Sequence, residues 1–217
     1  SPLFPYTTLF RSENVPEIAI QSVRVALSEC HQEIFSEGIE IQALGWWKDE
    51  NSYHPEGHLH PHRSIEWYFQ NSYSQERRQL ESETPLTFLD WAPEKRESPH
   101  LTVVVLTRDL YRDGYSFLFS DSGRSSIFLS TFRTKTLQEN ALQELTKSFV
   151  AHEYGRIIGL DGNPLKEGCY QSKDRHEKYC AMAINDRSSP KDWIRVTKER
   201  MALGRYYCPI CKKLTEP

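Results

Sequence analysis

The sequence predicts an α+β domain in which a twisted mixed sheet precedes one long helix and a cysteine-bearing segment follows it. Three observations carry this reading. Leu101-Thr102-Val103-Val104-Val105-Leu106-Thr107 is an apolar run of the kind found in a strand buried on both faces. Thr136 to Leu160 places Leu137, Ala141, Leu142, Leu145 and Phe149 on one helical stripe, and His152 continues it. Cys208 and Cys211 are separated by two residues, the spacing that lets successive thiolates hold one tetrahedral ion, and Cys180 lies upstream of them.

Composition sets the outer bounds. A chain of 217 residues, 38% hydrophobic and 26% charged, suits one sizeable domain with its own core, and a monomer is the default. Lys+Arg 27 against Asp+Glu 30 gives a net charge of −3, which supplies no field to attract nucleic acid or anionic lipid. No apolar run approaches the ~18 residues needed to span a bilayer, and the start lacks a basic-then-apolar leader, so a cytoplasmic protein is expected. In a reducing compartment five cysteines point to metal binding before disulfides. Residues 1–12 stand apart: Pro5-Tyr6-Thr7-Thr8-Leu9-Phe10-Arg11-Ser12 matches the translation of a common sequencing-library adapter. They are set aside as a scar, leaving residues 13–217 as a single domain whose true N-terminus is lost, with a C-terminal subdomain over about 161–217.

Taken in order, Ile20, Val23, Leu27, Cys30 and Ile34 recur at three- and four-residue steps, so Pro16 to about Phe35 is an amphipathic helix with Cys30 as a small buried apolar residue. Gly38 breaks it, and Ile39 to Leu44 alternates as a strand does. His54, His58, His60 and His62 fall in a Pro/Gly-containing loop; such tracts bind metal in some proteins, but here nothing else supplies a fixed geometry. Ile65 to Leu80 reads as a helix, followed by the short apolar stretch Leu86 to Leu89 and a charged loop from Pro93 to Pro99. After the core strand, Tyr115 to Phe119 and Ser125 to Thr131 read as two more strands separated by a turn at Gly123. Ser189-Pro190 opens a last helix as N-cap and first residue, and Gly204 closes it.

The end of the long helix reads His152-Glu153-Tyr154-Gly155-Arg156, with Gly159 three residues on, then Cys180-Ala181-Met182 and Cys208-Pro209-Ile210-Cys211. In that order the motifs resemble the archaemetzincin signature of zinc peptidases, H-E-x-x-H-x-x-G-x-x-H-C, then C-x-M, then C-x-x-C, from about Leu101 onward. The resemblance implies a metzincin-like zincin domain with a C-terminal four-cysteine zinc subdomain, acting on peptides or proteins. A strand on the rim of the cleft would take the extended substrate.

Several roles follow from the resemblance residue by residue. Cys180, Cys208 and Cys211 would hold a structural Zn2+, with Cys169 as the fourth ligand, and Met182 would form the floor under a catalytic zinc. That second ion would take His152, with Glu153 as general base. The departures fall on this ion, because Arg156 stands at the second ligand and Gly162 at the third. A guanidinium has no lone pair to give a metal. His176 could supply a replacement ligand, with Glu177 standing where the family has a cysteine, and Asp161 or Asp174 could complete the set. Otherwise Glu153 and Arg156, three apart on one helical face, would pair and fill the metal position. Three readings stay open: a degenerate peptidase that keeps one structural zinc and can hold a peptide, an active zinc peptidase, and a zinc-stabilised binding module.

Overall fold

The apolar run at 101–107 is the middle of the main sheet, as its composition demands. The computed structural model describes residues 4, 6–46, 65–91, 99–160, 176–184 and 190–215. They form strands β1 (Tyr6–Arg11), β2 (Glu40–Ala43), β3 (Tyr73–Ser74), β4 (Gln79–Glu81), β5 (Leu101–Leu106), β6 (Leu110–Tyr111), β7 (Ser120–Ser122) and β8 (Ser126–Ser130). The helices are α1 (Glu17–Phe35), α2 (Ile65–Asn71), α3 (Glu83–Asp90), α4 (Glu139–Ile157), α5 (Pro190–Leu203) and α6 (Pro209–Leu214). By contacts the chain divides into two units, Ser1–Pro16 with Glu40–Lys135, and Glu17–Ile39 with Thr136–Pro217.

The first unit holds a five-stranded sheet in the order β2-β1-β5-β8-β7. The β1, β2, β5 and β8 pairings are parallel, and β7 joins antiparallel to β8. Every residue of β5 is buried, which explains its continuous apolar character. Val104 and Leu106 meet Phe69, Leu80, Leu86, Leu89 and Phe128 in one core. Among the described residues β2 and β7 are the edges of this sheet.

Three expectations are corrected. Residues 6–11, set outside the domain on their sequence, form β1 and pair on both sides, Thr7 with Ile41 and with Leu101. Thr7, Thr8 and Leu9 are all buried, as a strand paired on both sides within the sheet requires, and the threonines and aromatics of the segment suit a strand whatever its origin. The expected helix over 65–80 stops at Asn71, and β3 and β4 follow as a hairpin because Leu80 pairs with Leu110 in a small β3-β4-β6 sheet. The strand expected at 115–119 reduces to one bridge, Leu118 to Leu110, and the paired strand begins at Ser120. The apolar stretch at 86–89 is the buried face of helix α3.

The second unit packs α1 on α4, with α5 also against α4. Buried Ile20, Val23, Leu27 and Cys30 confirm the stripe of α1, and burial pushes the Cys30 thiol far up, as for an inert core residue. Helix α4 ends at Gly159, whose φ is +82°. The Leu160 N–H bonds Gly155 O at 2.8 Å and the Gly159 N–H bonds Arg156 O at 3.1 Å, a Schellman closure that needs a left-handed residue. Gly159→Ala is therefore expected to cost about 1–2 kcal/mol, read as a lower urea midpoint at unchanged slope.

Among the described residues no helix is long and apolar enough to cross a membrane. The histidine group at 54, 58, 60 and 62, the Ser189 cap, and Asp161, Gly162, Cys169 and Asp174 lie outside the described residues.

Candidate metal centre and the active-site helix

Two short segments carry the metal-ligating side chains. Residues 176–184 follow α4 and include a 3-10 turn at Ala181–Ala183, while the Tyr206-Tyr207-Cys208 stretch leads into α6. The two segments are tied by the Ala181 N–H on Tyr206 O at 2.9 Å. A second tie is the Cys208 N–H, which donates to Cys180 Sγ at 3.4 Å.

These ties bring His176, Cys180, Cys208 and Cys211 together, all buried, with one donor atom from each lying within 4.8 Å of the others. Cys180 Sγ is 3.5 Å from Cys211 Sγ, and Cys208 Sγ is 3.8 Å from Cys211 Sγ. His176 Nδ1 lies 3.9, 3.5 and 3.4 Å from the sulfurs of Cys180, Cys208 and Cys211. A tetrahedral zinc with bonds of about 2.3 Å to sulfur and 2.0 Å to nitrogen has donor–donor edges of about 3.5–3.8 Å. Five donor–donor edges of the cluster, at 3.4–3.9 Å, lie close to those of such an ion. Three thiolates and an imidazole are also the donor set that selects zinc over harder cations.

The fourth member of the group among the described residues is a histidine. His176, expected at the catalytic ion, sits in the cysteine group, and Cys169 lies outside the described residues. Spacing explains the arrangement: His176 and Cys180 are four apart, bridged by a turn in which the Cys180 N–H bonds Glu177 O at 2.9 Å. Glu177 is exposed.

In the metal-free form the hydrogen bond with Cys180 is the main cause raising His176 to about 9, against the opposing effect of burial. The hydrogen bond with Cys180, reinforced by burial, pushes Cys208 up to about 12. Protonated His176 thus stabilises the metal-free fold fully below its ordinary 6.5, and this contribution is lost as pH rises through about 9. Zinc needs the neutral ring and ionised thiols, so its affinity runs the other way. Chelator competition at pH 6 and 8 is expected to show binding more than about tenfold tighter at the higher pH.

Helix α4 presents His152 and Glu153, exposed by only 3% and 2%. The His152 ring stands edge-on to Trp193, centroids 5.4 Å apart. Its Nδ1 is 3.0 Å from Ala181 O. A carbonyl can only accept, so Nδ1 carries a proton; in the neutral ring that is the Nδ1–H tautomer found in metal-ligating histidines. One turn on, where a second histidine would complete the pair, Arg156 Nη1 lies 3.4 Å from Glu153 Oε2. The expected pairing is present. Met182 is buried against the same helix: a Cβ placed on Gly155 would meet its Sδ at 2.5 Å and Tyr207 Cε1 at 3.1 Å. Among the described residues no group of three metal-ligating side chains includes His152.

No protein-family model matches the sequence, and no curated protein matches it. Solved structures do match. An archaemetzincin from Methanopyrus kandleri superposes with a TM-score of 0.66 at 16% identity, over 99% of this chain and 94% of that one. An archaemetzincin from Archaeoglobus fulgidus, solved with malonate, gives 0.56 at 18% identity over 95% and 98%. A zinc-dependent peptidase from Methanocorpusculum labreanum gives 0.61 at 16% identity over 97% and 100%. The chain therefore has the archaemetzincin fold of these zinc peptidases, with a metal-binding group of one histidine and three cysteines toward its C-terminus.

Proposed function

We propose that this chain is a zinc-stabilised, peptide-binding relative of the archaemetzincins whose catalytic centre is disarmed. One observation carries the reading: the histidine that could have rescued the catalytic ion, His176, belongs to the cysteine cluster, while Arg156 occupies the second ligand position and pairs with Glu153. One zinc then serves structure, held by His176, Cys180, Cys208 and Cys211. Its chemistry is that of a cross-link between two chain segments. The partner is an extended peptide or protein segment, the compartment a reducing one that keeps thiols available, and the chain acts as a monomer without nucleic acid or membrane.

A second reading, an active zinc peptidase, is favoured by the backbone carbonyl that His152 Nδ1 meets, as in metal-ligating histidines, and by Glu153 beside it as a general base. It needs ligands from beyond the described residues, such as Asp161 or Asp174. A zinc-stabilised module on an unrelated fold is set aside by the structural matches.

Hydrolysis of a fluorogenic peptide library separates the two. The wild type is expected to match Glu153→Gln, with no turnover above background, and Arg156→His to take up an additional zinc. Wild-type hydrolysis abolished by Glu153→Gln would overturn the reading.

A further inference from the structure

We infer that metal loading at the His176/Cys180/Cys208/Cys211 cluster sets the tautomer and position of His152, so that the C-terminal metal centre acts as a positioning device for the active-site helix. The inference rests on the reading of that cluster as a zinc site.

The connection is short. Cys180, Ala181 and Met182 are consecutive. The first offers a ligand sulfur, the second accepts the His152 Nδ1–H at 3.0 Å, and the third places its sulfur against Gly155. The other ligand-bearing segment does the same from its side. Tyr207, adjacent to Cys208, donates its hydroxyl to Ala151 O at 2.8 Å and abuts Gly155. Residues 151, 152 and 155 of α4 are thus each held by a residue one or two positions from a cluster ligand.

The ion would be the strongest link between the two segments. Their backbone N–H groups contribute two ties, the Ala181 N–H on Tyr206 O and the Cys208 N–H on Cys180 Sγ. Four donors held on one ion would restrain the Cys180 sulfur, and the Ala181 carbonyl is one residue on, in a turn closed by the Ala183 N–H on Cys180 O at 2.9 Å. A hydrogen-bonded carbonyl behind an imidazole selects which nitrogen is protonated. Loss of the ion would free that carbonyl, and the ring would exchange between tautomers. Ala181 is a positioning residue by its backbone, and its side chain takes no part.

The test uses the full chain labelled with 15N, with zinc content measured in parallel and the His152 ring signals assigned by His152→Gln. In the zinc-loaded protein His152 is expected as one neutral tautomer with a slowly exchanging Nδ1–H. Chelation should remove zinc and raise the exchange rate of that proton at least tenfold while circular dichroism retains the helices. Because a chelated protein can unfold, Cys180→His gives a second arm: it keeps four ligands but changes the distance from backbone to ion. It is expected to retain zinc and show the same faster exchange. An unchanged Nδ1–H signal in zinc-depleted, folded protein, or in zinc-loaded Cys180→His, overturns the coupling while leaving the zinc site intact. A wild type that binds no zinc overturns the underlying reading instead.

Discussion

Cys211→Ser is expected to release zinc and to lower stability by about 4–5 kcal/mol or more, a loss found when a structural metal is removed from a small unit. Cys211 is fully buried, 3.5 Å from Cys180 Sγ and 3.4 Å from His176 Nδ1. A serine hydroxyl in its place is a poor zinc donor and leaves two other thiols and a ring without a shared partner. The segments they anchor have little core of their own: helix α6 spans only Pro209–Leu214 and exposes Leu214. Helices this short do not persist alone in water. Hydrogen exchange should therefore localise the effect to 176–184 and 206–214 before the whole chain melts. Cys30→Ala is the control. Cys30 is equally buried but on α1 and is not a member of the cluster, so the variant should keep its zinc and lose about 1 kcal/mol through a small cavity and its thiol's hydrogen bond with Tyr207. Equal zinc in wild type and Cys211→Ser would contradict the assignment.

Arg156→Leu has the next largest expected effect. The Glu153 side chain is 2% exposed, and that of Arg156, whose guanidinium lies 3.4 Å away, is 23% exposed. Removing the cation leaves a buried carboxylate short of one charge-assisted partner, which costs about 1–3 kcal/mol. The double variant with Glu153→Gln should recover part of that loss, because a neutral amide tolerates burial better than a charge. A double-mutant cycle in urea should show coupling of about 0.5–1 kcal/mol or more. Arg156→Leu without loss of stability would mean that the pair is incidental and that the arginine turns readily away from the site.

The parts legible in the sequence are those encoded by periodicity or by short spacing. The stripe of α1 and the buried β5 run follow from local pattern, and so does the presence of α4, which runs 139–157 and buries Leu142 and Phe149 of its expected stripe while Leu137 and Ala141 are exposed. What escapes depends on distant pairing. The chain after Asn71 leaves the helix because Leu80 finds Leu110, a partner thirty residues on, and no local periodicity records that. The role of Tyr6–Arg11 is hidden for the same reason, since its place between β2 and β5 is set by their unpaired edges. In the site, the two-residue spacing picks out Cys208 and Cys211, and Cys180 comes from the family pattern that places a cysteine two before Met182. The family pattern leads His176 to the catalytic ion, whereas the structure groups it with the three cysteines; its position four before Cys180 is the available signal. Tyr207 and the Ala181 carbonyl leave no such signal, since a backbone acceptor has no trace in residue identity.

The central claim is that the chain carries one zinc, in the C-terminal cluster, and none at His152. Native mass spectrometry of the purified wild type, with Cys211→Ser beside it, measures this directly. The account predicts one zinc per chain in the wild type and none in the variant. Two zincs in the wild type, with one retained in Cys211→Ser, would contradict it and place a metal at His152 despite Arg156.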